Sequence, residues 1–159
     1  MELDALAEVL EISRAESEFA QTLHMLVPTP RGAKRFANIY RLLKASLPRG
    51  ELVAFQGTER VPGDFQLPML LLALLVGQPA LAGELFPQLL LRAREGQEDW
   101  WQSGWVADAI TAEEARLRAQ LDELVDAPYF PRSPALVVRW LPQVARYSFT
   151  TARMFLEER

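Results

Sequence analysis

The chain has 159 residues, half of them hydrophobic and 24% charged, with a formal net charge of −4 and no cysteine. That length suits one domain able to bury roughly 70% of its unfolded surface, which excludes a largely disordered chain, and the lack of cysteine excludes a disulfide scaffold, a thiolate metal site and a cysteine nucleophile. The mildly acidic balance argues against a dedicated nucleic-acid binder and leaves local basic patches open.

The first stretch, MELDALAEVL, is acidic and amphipathic. It has no basic leader or cleavage signal, so residues 1–12 read as a helical lead-in or linker and 13–159 as a single helical domain. Ser13-Arg14-Ala15-Glu16 is a capping-box pattern. Phe19, Leu23 and Leu26 follow at helical spacing, so the spacing predicts a helix over 13–27. Pro28 stops it. Thr29 is a good N-cap and Pro30 suits the first helical position, which predicts a second helix to about Leu47. Pro48 and Gly50 end it.

Residues 50–64 read as a loop or hairpin-like excursion, with Leu52, Val53 and Phe55 forming a short strand. Asp64 is expected to cap a strongly apolar helix over 65–76. Its longest apolar run, Leu67 to Gly77, is about half of the roughly 20 residues that span a bilayer, so it reads as a buried core helix. Pro79 opens another helix to about Arg94, and the short Gly77-Gln78-Pro79 link predicts a helical hairpin. Trp100, Trp101 and Trp105 fall in one short predicted helix. They suit packing, and such clusters also serve as binding anchors. Thr111 to Glu114 is a second capping-box match, followed by Leu117, Leu121, Leu124 and Val125. Ser133-Pro134 opens a last helix bearing Val137, Trp140, Leu141, Val144 and Tyr147, which Pro142 should kink. Nothing alternates with period two for long enough to build a sheet. The expected fold is therefore all-α, a compact bundle of about six helices.

The most informative helix is the second. Ala33, Phe36, Tyr40, Leu43 and Leu47 share one face, and Arg31, Lys34, Arg35, Asn38 and Arg41 the other. No acid occurs between Phe19 and Gly50, so nothing within its own segment neutralises the basic face. Arg31 and Lys34 stand in the first turn, where the helix dipole disfavours cations by about 0.3–1 kcal/mol. The same place suits an anion, since backbone N–H groups and a guanidinium converge there. A solvated face, a phosphate or nucleotide contact, and a contact with an acidic protein or nucleic acid are all compatible with this pattern. Gly32 in that turn implies close approach of a ligand or a neighbouring helix, or chance.

Pro30-Arg31, Lys34-Arg35, Asn38 and Tyr40-Arg41 together resemble the Pro-Arg-x-x-Lys-Arg-x-x-Asn-x-Tyr-Arg pattern that follows the nucleotide-binding core of KAP-type P-loop NTPases. The run from Pro68 to Phe86 is similar to the apolar helix pair that comes next in that family. Trp140-Leu141-Pro142 and Val144 to Phe149 look like its C-terminal segment. The resemblance implies a bacterial, cytoplasmic, non-catalytic helical lid or regulatory region, held at the inner face of a membrane only through a parent protein. Its partner would be a P-loop NTPase core, of the same parent chain or another protein, which would supply ATP and Mg²⁺. In related AAA+-type ATPases a Pro-Arg at the start of a lid helix senses the γ-phosphate, and by resemblance Arg31 takes that place. The departure is large: the chain has no G-x-x-x-x-G-K-S/T phosphate loop (Walker A) and no Walker B strand, so no ATPase activity and no cofactor of its own are expected. The alternative is an independent interaction module for an acidic protein or a nucleic-acid backbone.

Other chemistry finds less support. His24 is the only histidine and has no cysteine to share a metal with. Glu113, Glu114, Asp122, Glu123 and Asp126 interleave with Arg116 and Arg118, as on a solvated, ion-paired helix face. Arg132, Arg139, Arg146 and Arg153 recur every seven residues. The last three define a basic stripe that is either solvated or, with the tryptophans, a partner interface.

Overall fold

The computed structural model describes residues 11–101 and 112–147. The fold is all-α. Helices α1 (Arg14–Thr22) and α2 (Pro30–Ala45) are followed by a 3-10 turn, Arg49–Glu51, and a short helix α3, Leu52–Gln56. Then come α4 (Gln66–Gly77), α5 (Pro79–Arg94), α6 (Ala112–Asp126) and α7 (Pro134–Ala145).

Helix α4 is the axis of the fold. Every residue from Leu67 to Leu75 is buried, as expected of a helix that is apolar all round. It is surrounded by α1, α2, α5 and α7, and α5 also packs along α7. Pro68 falls in the first turn, where its missing N–H costs nothing. The expected hairpin with α5 forms across Gln78, whose Nε2 donates to Leu26 O at 3.4 Å. Helical geometry continues through Pro87 in α5 and Pro142 in α7.

Local signals explain most boundaries. Ser13 and Glu16 form the full capping box: the Glu16 N–H donates to Ser13 Oγ at 3.2 Å, and the Ser13 N–H to Glu16 Oε1 at 3.1 Å. Helix α1 nevertheless ends at Thr22, earlier than the periodicity implies: the Thr22 hydroxyl donates to Phe19 O, and Leu23 to Leu26 continue as a turn. Leu23 and Leu26 still reach the core from that turn.

Two expectations are corrected between α2 and α4. Leu52, Val53 and Phe55 are helical, not a strand. A strand would put Val53 and Phe55 on the same face, whereas Phe55 is buried between Tyr40 and Trp140 and Val53 is 68% exposed. The hairpin-like part is only 57–62, closed by the Gly57–Pro62 bridge with Gly57 at φ 76°. Asp64 does not cap α4 through its side chain; Phe65 is the residue before the helix. Partial burial raises the Asp64 carboxyl above its usual range, an effect the nearby Arg139 charge opposes.

Gly77 has a tertiary reason. A Cβ there would come 1.7 Å from Leu26 O, so the turn after α1 lies directly against the end of α4. Gly83, in the middle of α5, has open space around its Cβ position. Opposite outcomes follow for the same substitution. Gly77→Ala should destabilise by about 2 kcal/mol or more through forced backbone movement, and Gly83→Ala should stabilise by about 0.5–1 kcal/mol through helix propensity. Urea titration followed by circular dichroism measures both.

Candidate functional site

The candidate site is the solvent-facing side of α2 and what holds it in place. Thr29 caps the helix, its Oγ1 accepting from the Gly32 N–H at 3.0 Å. Gly32 is accounted for by this cap: a Cβ would meet Thr29 Oγ1 at 2.9 Å and Val27 Cγ1 at 3.1 Å. The close approach read from the sequence is therefore made by the chain's own capping turn.

Arg31, at the second helical position, is exposed, as are Lys34, Asn38 and Arg41. Among the described residues, Arg31, Lys34 and Arg41 pair with no carboxylate. Arg35 is exposed but turned elsewhere, donating from Nη2 to Tyr147 O at the end of α7 at 3.4 Å. By helical spacing Lys34 and Arg41 share one edge of the face, Arg31 and Asn38 lie farther round, and Arg35 falls on the other edge.

Lys44 alone among the basic residues of α2 is not exposed. It is wholly buried, with Nζ donating to Glu16 Oε1 at 2.7 Å and to Glu11 O at 2.6 Å. Glu16 is also fully buried, and its other carboxylate oxygen accepts from the Tyr40 hydroxyl. Glu16 therefore does two jobs, completing the cap of α1 and neutralising a lysine of α2. A signal existed: Lys44 is four residues from Tyr40 and eight from Phe36, which places it on the apolar face. Burial, followed by the Glu16 charge, pushes the Tyr40 phenol far above its ordinary value.

The proposed partner interface is partly corrected. Trp100 is 2% exposed and donates from Nε1 to Arg132 O at 3.1 Å, so it is a packing residue. Trp101 is half-buried and donates to Asp122 Oδ1 at 2.8 Å. Arg139 is committed within the chain, paired with Glu51 and 4.8 Å over the Trp140 ring. Arg132 is held by Val125 O at 3.1 Å and by Asp126. Arg146 is exposed at the end of α7. Trp105, Thr111 and Arg153 lie outside the described residues.

His24 is exposed, with Nδ1 2.9 Å from Gln21 O. Among the described residues no group of three or more His, Cys, Asp and Glu side chains could hold a metal ion, and no helix is long and apolar enough to cross a membrane. The site offers exposed cations on a capped helix, suited to meeting an anion. No protein-family model, curated protein or solved structure matches the chain.

Two measurements probe the anchor. Lys44→Met leaves the Glu16 carboxylate buried without its counter-charge and should cost about 3–5 kcal/mol in urea unfolding, while adding Glu16→Gln should recover much of that loss. Tyr40 supplies a pH test. Its folded-state pKa is raised, so its contribution to stability is complete below about pH 10 and is lost as pH rises beyond that ordinary tyrosine value. Of the 3 tyrosines, Tyr40 should yield its phenolate absorbance only together with loss of helical circular dichroism.

Proposed function

We propose that this chain is a non-catalytic helical lid or regulatory region that closes on the nucleotide-bound core of a KAP-like P-loop NTPase, through the basic face of α2. The observation that carries the reading is an exposed, carboxylate-free row of cations beginning in the first turn of a capped helix, within the residue pattern that resembles the family.

In this reading Arg31 meets the terminal phosphate. Its guanidinium adds a forked donor to the positive end of the helix dipole, and together these favour a phosphate oxygen. Lys34 and Arg41 contact the acidic or phosphate-bearing surface beside it, and Asn38 adds a neutral donor. Arg35 ties α2 to the end of α7 at Tyr147 and so supports the helix more than it contacts a partner. The buried Lys44–Glu16–Tyr40 network supports the reading mechanically. A phosphate sensor gains from a rigid mount, because ordering costs are then met in folding rather than in binding. The chemistry itself belongs to the core.

The test uses the complete polypeptide or complex that carries the core. Arg31→Ala should lower ATP turnover at least about tenfold, as expected when a charge acting on the transferring phosphoryl group is removed. Arg116→Ala, an exposed arginine on α6, should leave turnover unchanged. Wild-type turnover and nucleotide affinity in Arg31→Ala would remove Arg31 from the mechanism.

A further inference from the structure

Beside the basic face lies an apolar groove of about 300 Å³ between α1 and α2. One wall is Ser17, Ala20, Gln21 and His24, one turn apart along α1 and the turn after it; the other is Ala33, Phe36, Ala37 and Tyr40 of α2. Leu23 and Met69 close its floor. Both walls are single helical stripes, and small residues (Ala20, Ala33, Ala37) keep the groove open. It has the form of a site for another helix, which would lay its own i, i+3, i+4, i+7 apolar stripe between the two.

The rims decide the partner's charge. On the α1 side the wall residues Ser17, Gln21 and His24 bear no carboxylate, and Arg14 and Glu18, which do not line the groove, pair with one another at 3.0 Å. On the α2 side Lys34 and Arg41 border the Ala33–Ala37–Tyr40 stripe and are exposed, with no carboxylate partner among the described residues. Apolar floor, neutral rim and positive rim together select an amphipathic helix with glutamate or aspartate along one edge, and like charge along that edge would be repelled. The geometry points to this groove as the docking site for an acidic amphipathic helix of a partner protein. It requires no nucleotide and makes no use of Arg31, which lies farther round α2.

Two fluorescein-labelled peptide helices of about 15 residues test it, long enough to hold a helix when stapled. They share one leucine stripe and differ only in glutamate or lysine along its edge. Fluorescence anisotropy with the intact chain should show saturable binding of the glutamate peptide, and at least about tenfold weaker binding of the lysine peptide. Lys34→Glu with Arg41→Glu, both surface changes that leave the core intact, should weaken the glutamate peptide by about tenfold and reverse the preference. Ala37→Trp should fill the groove and abolish binding of either peptide, with circular dichroism checking the fold. Arg31→Ala should leave peptide binding unchanged, so loss of this site and loss of phosphate sensing are separately visible. Equal affinity for the two peptides, no binding of the glutamate peptide at about 1 mM, or binding indifferent to both the charge reversal and Ala37→Trp would overturn the assignment.

Discussion

Glu16 and Lys44 lie wholly out of water between the first two helices, 2.7 Å apart. Removing either charge alone strands the other in a medium that stabilises ions poorly, so the pair constrains α1 and α2 to one relative position. Tyr40 closes the carboxylate's second oxygen, and Lys44 spends a further donor on Glu11 O. Each of these partners is polar and directional, so the contact specifies rotation as well as distance. Apolar packing alone would tolerate some sliding of α2 along α4. The network ties Tyr40 and Lys44 of α2 to Glu16 of α1, on the side of α2 away from Arg31.

Around that contact the fold is a sheath on a single apolar rod. Helix α4 supplies hydrophobic surface in every direction, and α1, α2, α5 and α7 each bring one stripe to it. The aromatic row Phe36–Tyr40–Phe55–Trp140 extends the core outward, with successive ring centroids 5.4–6.3 Å apart. It places the short helix α3 between α2 and α7. Arg139 and Glu51 then seal the outer edge of that row. Apolar packing and exposed charge are thereby separated: the centre is buried hydrophobic surface, and the outer side of α2 carries the exposed cations.

What could be read in advance follows from the range of each interaction. Ser13, Thr29 and Pro79 announced helix starts because caps and proline act within one turn. The burial of α4 was legible because no polar residue interrupts Leu67 to Val76. The exposure of Arg31, Lys34 and Arg41 followed from the 3.6-residue period. The helix at Leu52–Gln56 was not legible, since five residues fit either period and Phe55's neighbours decide. Nor were the partners of Arg139, whose carboxylate lies 88 residues away, or the reason for Gly32, which depends on where Val27 and the Thr29 hydroxyl stand in space. Lys44 was half legible: its place on the apolar stripe was visible, but the identity of its counter-ion was not.

The chain contains only two lysines, Lys34 and Lys44, and folding treats them oppositely. Lys44 is sealed from solvent while Lys34 stands open on the basic face. In the native protein, then, reagents that acylate or cross-link amines have a single side chain to attack. A dye or photo-crosslinker attached at Lys34 would report from α2 itself.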